Sequence, residues 1–155
     1  MKNLIIYFSW SGNTGKLVRD VNKTLSFDVV RVERAEAYSD DYNTCAYVEA
    51  KGEWEKHIHP EIKGLDVDVN NYDRILLFSP IWWYTMPMPI ATLIEKLKGY
   101  KGEIVLFENS YTNDPHYADN FMKDFKKIDS SLDVKQGLFN KSAKEHIEYI
   151  EKLDK

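Results

Sequence analysis

A turn rich in hydroxyl side chains separates the first apolar run of this sequence from the first segment with helical spacing. It consists of Ser9, Trp10, Ser11, Gly12, Asn13 and Thr14. A helix that begins at such a turn presents unpaired backbone N–H groups and the positive end of its dipole, and both favour a bound phosphate. The hydroxyls and the asparagine amide add donors, while Gly12 and Gly15 let the backbone approach closely or adopt a positive φ. The turn therefore predicts a phosphate-binding site.

Two comparisons define this prediction more closely. The turn contains no lysine or arginine, which distinguishes it from a P-loop with its Gly-Lys-Ser/Thr ending. An ordinary capped helix after a polar turn would use some of the same residues, and that alternative stays open. The position after a strand favours phosphate, because ligands of open α/β sheets bind at the carboxyl ends of the strands.

A second candidate site follows the third predicted strand. Its loop contains Pro80, Ile81, Trp82, Trp83 and Tyr84. Neighbouring side chains of an extended chain point to different sides, so three adjacent aromatic residues cannot all enter one core. Some of them should line a surface cleft, where a planar ring such as a flavin would gain from stacking and burial. A hydrophobic plug or a homodimer interface would have a similar composition.

Short apolar runs predict the strands that must position these two loops. They cover residues 4–8, 29–32, 75–78 and 104–107, with a weaker candidate at 134–139. Such unalternated runs are typical of a parallel sheet that is covered on both faces. Helical spacing of apolar residues predicts helices near residues 17–25, 90–97, 117–128 and 143–150.

The alternation of strands and helices indicates an α/β fold. Right-handed crossovers leave few arrangements, and the simplest is a doubly wound five-stranded parallel sheet of order 2-1-3-4-5 with helices on both faces. Residues 38–71 do not fit this scheme: they show no clear strand, and they contain a possible short helix over 41–54. A segment this long without regular structure is usually functional. The length of 155 residues predicts a single domain over 1–155.

Composition excludes several classes of function. A net charge of −4 argues against a general nucleic-acid binder, which needs a basic surface. No apolar stretch approaches the ~18 residues of a membrane span, and the N-terminal run is too short for a signal peptide. Cys45 is the only cysteine, which fits a cytoplasmic protein. His57 and His59 lack the spacing of a metal site, so no metal is expected.

Two motifs carry a family resemblance. The segment from Ser9 to Thr14 resembles the phosphate loop of flavodoxins, whose signature is (S/T)-x-(S/T)-G-N-T. The stretch Pro80-Ile81-Trp82-Trp83, with Tyr72-Asp73 before it and Pro87 after it, is similar to a subgroup of small bacterial flavodoxin-like proteins. This resemblance implies a flavodoxin-like fold and a non-covalently bound FMN. Its phosphate would lie on the first loop, and its ring would contact the backbone of residues 80–84.

The resemblance also implies a third loop over the ring, after the fourth predicted strand. Flavodoxin-like proteins close the ring site with this loop, which is often rich in Thr, Ser and Gly in the subgroup. Residues 108–114 contain no glycine and carry Tyr111 instead. We expect Ser110 or its neighbours to approach the ring and Tyr111 to stack on it, with an ordinary polar loop as the alternative.

Three functions follow from these features. The first is an oxidoreductase that takes hydride from NAD(P)H and reduces a small planar acceptor such as a quinone. The second is a single-electron carrier between redox proteins, which usually benefits from a strongly acidic face. The third is a cofactor-free binding module. A net charge of −4 is weak for a carrier, and an aromatic cleft suits a planar acceptor, so the sequence favours the oxidoreductase. It assigns no catalytic acid or base.

Overall fold

The computed structural model describes residues 1–154 and contains seven strands and five α-helices. The strands are β1 (Asn3–Tyr7), β2 (Asp28–Arg31), β3 (Glu33–Arg34), β4 (Ile62–Lys63), β5 (Arg74–Pro80), β6 (Glu103–Asn109) and β7 (Asp133–Phe139). The helices are α1 (Asn13–Leu25), α2 (Lys51–Lys56), α3 (Met88–Lys96), α4 (His116–Ile128) and α5 (Ala143–Glu151). A π-helical segment, Thr44–Ala50, runs directly into α2, and a short 3-10 turn covers Val69–Asn71.

Five strands form one parallel sheet in the order β2-β1-β5-β6-β7. Counted among these five strands alone, the order is 2-1-3-4-5, so the sequence-based prediction of fold and strand order is confirmed. The order reverses at β1, which lies between β2 and β5. The loops that follow β1, β5 and β6 therefore meet at one edge of the sheet, as is usual for ligand sites of this architecture.

The apolar runs are unalternated because the sheet is covered on both faces. Successive residues of β5 enter opposite layers: Leu77 packs with α3 and α4, whereas Leu76 and Phe78 pack with α1 and α5. Each fully buried side chain of this size contributes roughly 1.5–3 kcal/mol relative to exposure. This two-sided burial holds the strand ends in place beneath the loops.

The segment over residues 38–71 has more structure than the sequence indicates. The possible helix over 41–54 is present, with Thr44–Ala50 in π-helical and Lys51–Lys56 in α-helical geometry. The expectation of no strand in this segment was wrong, because Ile62–Lys63 pairs antiparallel with Glu33–Arg34. A two-residue strand carries no periodic pattern, so only the pairing reveals it.

Buried polar contacts fix this segment to the rest of the molecule. The hydroxyl of Tyr38 donates to Glu53, and the guanidinium of Arg34 lies 3.2 Å from the same carboxylate. Glu53 is 5% exposed, so its charge is paired where it is buried.

Within residues 1–154, no helix is both long and apolar enough to cross a bilayer.

Candidate functional site

A cleft of about 590 Å³ opens at the carboxyl ends of β1, β5 and β6. This volume lies within the range of small-molecule sites. The hydroxyl-rich turn over residues 9–14, here called the phosphate turn, contributes Ser9, Trp10, Ser11, Asn13 and Thr14 to its lining. The loop after β5, here called the aromatic loop, contributes Pro80, Ile81, Trp82, Trp83 and Tyr84. The third loop, over residues 108–114, contributes Ser110 and Tyr111. Of the residues predicted from the sequence, Gly12 alone does not line the cleft.

The cleft has a fourth wall that the sequence analysis did not assign. It consists of Tyr42, just before the π-helical segment, and of Cys45, Ala46, Tyr47 and Ala50 within that segment. The spacing of Tyr42, Ala46 and Ala50 places them on one side of a helix, and this was the available signal. Three further lining residues were missed: Asn109, Thr112 and Tyr117.

The N-terminus of α1 lacks the cap that α5 has. Ser142 and Glu145 form a complete capping box at the start of α5. At α1 the N-cap is Gly12, which contributes no side chain and has a φ of 95° that favours glycine. The first turn of α1 also contains no acidic residue. Its N–H groups, from Asn13 to Gly15, are therefore available to an anion.

The hydroxyls of the phosphate turn have different tasks. Ser9 accepts a hydrogen bond from the backbone N–H of Gly12 over 3.1 Å and so shapes the turn. Thr14 donates its hydroxyl proton to Asn109 over 2.8 Å. Ser11 is exposed, and its hydroxyl has no hydrogen-bond partner among the described residues. Ser11 is thus the hydroxyl best placed to donate to a bound anion.

Asn109 connects the three loops around the cleft. Its side-chain oxygen accepts from Thr14 in the first loop, and its carbonyl accepts from the backbone N–H of Ile81 in the second over 3.0 Å. The next residue, Ser110, donates its N–H to the side chain of Asn140 over 2.6 Å. The side chain of Asn13 also donates to the hydroxyl of Tyr111 over 2.7 Å, which links the first and third loops again.

The aromatic loop contains a tight turn with two residues at positive φ. Trp82 and Thr85 exchange both backbone hydrogen bonds, at 2.9 and 3.2 Å. Trp83 and Tyr84 lie between them with φ of 49° and 71°. Asn and Gly normally occupy these two positions, since a bulky side chain at positive φ is strained. Such strain concentrates at functional sites.

This turn sends its three aromatic rings in different directions, as the sequence analysis expected. Trp82 packs edge-on against Phe8 and Tyr38, with ring centroids 5.2 and 5.3 Å apart, and forms the inner wall. Trp83 stacks on Trp54 at 5.8 Å and donates its indole N–H to the carbonyl of Ala46 over 2.9 Å. Tyr84 remains about half exposed at the mouth of the cleft.

The cleft is aromatic and uncharged. Eight of its twenty lining residues are aromatic, and none of the twenty, all within residues 1–154, is Asp, Glu, Lys or Arg. Tyr111 is 94% exposed, and its ring extends beside the mouth. Burial raises the pKa of the Cys45 thiol to about 11, so this residue is a neutral part of the wall. The described residues include no group of His, Cys, Asp or Glu arranged to hold a metal ion.

Comparison with known protein families identifies one match. The model of the flavodoxin family matches residues 2–153, which is nearly the whole chain. A comparison with curated proteins gave no match.

Solved structures with the same fold cover almost all of the chain. A flavoprotein from Lactobacillus acidophilus, solved in complex with FMN, is 28% identical, with a TM-score of 0.79 over 96% of this chain and 98% of that one. The NMR structure of its apo-form gives a TM-score of 0.68 at 28% identity, over 94% and 95% of the two chains. A protein from Bacteroides eggerthii is 23% identical, with a TM-score of 0.83 over 99% and 98%. The last of these comparisons concerns the fold alone.

Proposed function

The chain belongs to the flavodoxin family, and we propose on this premise that it binds FMN non-covalently in the aromatic cleft. The family match and the FMN-bound relative from Lactobacillus acidophilus support this cofactor. FMN, when bound, supplies the redox chemistry, while the protein determines its orientation and access.

The residues of the cleft fit a phosphate ester joined to a planar ring. The uncapped N-terminus of α1 and the unpartnered hydroxyl of Ser11 offer donors to a dianion. No acidic side chain occupies the first turn of α1 to repel it. Beyond the turn the lining becomes aromatic, with Trp82, Trp83 and Tyr84 on one side and Tyr111 at the mouth. The polar and apolar parts of FMN therefore each meet a suitable wall.

We propose further that the protein is an oxidoreductase that takes hydride from NAD(P)H and reduces a small planar acceptor such as a quinone. The observation that carries this proposal is the absence of any charged side chain among the twenty residues, all of them described, that line the cleft. Electron carriers use charge complementarity to meet protein partners. An aromatic, uncharged mouth instead favours a neutral planar molecule by stacking and burial.

The phosphate part of this proposal is tested by comparing two flavins. Ser11→Ala removes one donor to a charged group, which is worth about 1.5–3 kcal/mol, so FMN affinity should fall roughly tenfold or more. Riboflavin lacks the phosphate and serves as the matched control, because its affinity should stay the same. Fluorescence titration of both flavins measures this. Equal losses for both flavins, or no loss for FMN, would contradict the assignment of Ser11.

The redox part is tested with the FMN-loaded protein under anaerobic conditions. Addition of NAD(P)H should bleach the visible flavin band directly to the two-electron-reduced form, and a quinone should restore it. A bound flavin that is not reduced by NAD(P)H, but accumulates a one-electron-reduced form with a chemical reductant, would favour the electron carrier. A protein that retains no flavin would favour the cofactor-free binding module.

Two minor proposals accompany this function. The single cysteine, Cys45, is buried and fits a reducing compartment such as the cytoplasm. Exposed apolar side chains near the cleft, among them Tyr42, Tyr47 and Val48, would suit a homodimer interface. Sedimentation of the protein with and without FMN tests the second of these.

A further inference from the structure

A buried carboxyl group lies directly beneath the third loop of the cleft. Glu108 is next to the last residue of β6 and is 1% exposed. Gln136 of the neighbouring strand β7 donates its amide N–H to one carboxyl oxygen of Glu108 over 2.6 Å. The other carboxyl oxygen of Glu108 and the amide oxygen of Gln136 are both buried, and neither has a partner among residues 1–154. Two buried oxygens without hydrogen bonds raise the free energy of the folded state, and the increase is largest if one of them carries a charge.

A single proton on Glu108 would give both of these oxygens a hydrogen-bond partner. A protonated carboxyl group is a donor at one oxygen and an acceptor at the other, and a primary amide has the same two capacities. The planar groups of Glu108 and Gln136 can then exchange two hydrogen bonds, with the acid O–H donating to the amide oxygen. An ionised Glu108 has no proton to donate, and both oxygens would then stay without a hydrogen-bond partner.

We infer that Glu108 and Gln136 form a neutral carboxylic acid–amide pair at neutral pH, and that this pair positions the loop after β6 for binding at the cleft. The surroundings support a neutral acid. Burial raises the pKa of Glu108 to about 8, and the nearby carboxylate of Asp119 on α4 acts in the same direction. On the other neighbouring strand, β5, the residue opposite Glu108 is the uncharged Ser79. No cationic side chain of the described residues forms a hydrogen bond or ion pair with Glu108.

The position of the pair explains its effect on the cleft, and this step rests on the proposed function. The backbone carbonyl of Glu108 accepts from the N–H of Asn140 over 3.0 Å, and the side chain of Asn140 accepts from Ser110. Asn109, the next residue after Glu108, bonds to both other loops. A buried negative charge at Glu108 would therefore disturb the junction of all three loops at once.

Infrared spectroscopy tests the neutral pair without any cofactor. The apoprotein should show the C=O stretch of a protonated carboxyl at neutral pH, and this band should disappear in Glu108→Gln and on titration of the native protein past a pH of about 8. In Asp119→Asn the band should disappear at a lower pH than in the native protein, because the carboxylate of Asp119 disfavours ionisation of Glu108. A native protein without such a band overturns the inference.

Flavin affinity tests the positioning role. Between pH ~6.5 and the midpoint for Glu108, where the FMN phosphate is largely a dianion, the Kd of the native protein for FMN should be nearly constant. Above that midpoint the Kd should rise by up to about tenfold per pH unit. Glu108→Gln is the matched variant, because an amide–amide pair keeps two hydrogen bonds and cannot ionise. Its Kd should equal that of the native protein near pH ~6.5 and stay flat to about pH 9. Parallel pH profiles for the two proteins would overturn the positioning role. Failure of FMN to bind at every pH would contradict the proposed function alone, since the infrared band still decides the pair.

Discussion

The hydroxyl of Thr14 donates a hydrogen bond to the side-chain oxygen of Asn109 over 2.8 Å, across 95 positions of sequence. It joins the first turn of α1 to the end of β6. Because the carbonyl of Asn109 also accepts from Ile81, this one residue fixes the relative positions of the three loops around the cleft. Its contribution to the site is one of geometry.

Replacement of this connecting side chain should therefore weaken the site. Asn109→Ala removes the acceptor of Thr14 and leaves the backbone contact to Ile81 in place. The loss of one hydrogen bond is worth about 1 kcal/mol, so FMN affinity should fall roughly fivefold, as measured by fluorescence titration. Asn71→Ala is the control and should leave affinity unchanged, because Asn71 is exposed in the 3-10 turn and does not line the cleft. Equal effects of the two variants would contradict a special role for Asn109.

The strain at Tyr84 predicts a gain of stability when the residue is changed. Tyr84 has a φ of 71° and is about half exposed, and asparagine tolerates this conformation much better than tyrosine. Tyr84→Asn should stabilise the apoprotein by about 1 kcal/mol in urea unfolding and weaken FMN binding, since the ring leaves the cleft. Tyr47→Asn removes another exposed ring of the cleft from a residue without positive φ, and should give no such gain. A destabilised Tyr84→Asn protein would show that the ring contacts outweigh the strain.

The indole of Trp83 should hold the fourth wall in place. Its N–H donates to the carbonyl of Ala46, and its ring stacks on Trp54. Trp83→Phe removes the hydrogen bond and retains an aromatic ring, so local opening should become easier by about 1 kcal/mol. Amide hydrogen exchange should then be roughly fivefold faster across residues 44–56. Trp10→Phe, which loses a similar bond to the carbonyl of Ser39, should leave exchange at α2 unchanged.

A buried histidine should make the fold sensitive to acid. His146 is fully buried, its Nδ1 lies 2.7 Å from the carbonyl of Ser142, and its Nε2 has no partner within residues 1–154. Burial lowers the pKa of His146 below its usual value of 6.5, so the unfolded chain takes up a proton that the folded protein does not. Stability should decrease as pH falls below 6.5, by at most about 1.4 kcal/mol per pH unit.

Unfolding in urea at several pH values measures this effect. His146→Leu should remove that part of the loss in acid, because leucine fills the apolar site beside Phe78 and Phe107 without titrating. A profile for His146→Leu that runs parallel to the native one would show that other groups cause the acid loss.

Most of the architecture was predictable from local patterns. Unalternated apolar runs indicate strands buried on both faces, and helical spacing indicates the segments that cover them, because these periods follow from backbone geometry alone. The strand order and the family resemblance are confirmed. The two-residue strand Ile62–Lys63 was not predicted, since it is too short to show an alternating pattern.

The candidate site was likewise predictable from the sequence only in part. The sequence by itself determined which loops carry unusual chemistry, because a hydroxyl-rich turn before a helix and three adjacent aromatic residues are recognisable where they stand. Only the tertiary structure decided that Asn109 joins the loops, that the π-helical segment forms a fourth wall, and that Gln136 faces Glu108. Each of these is a contact between residues far apart in the chain. Such contacts depend on strand order and on which side chains lose their water, and no local pattern records either.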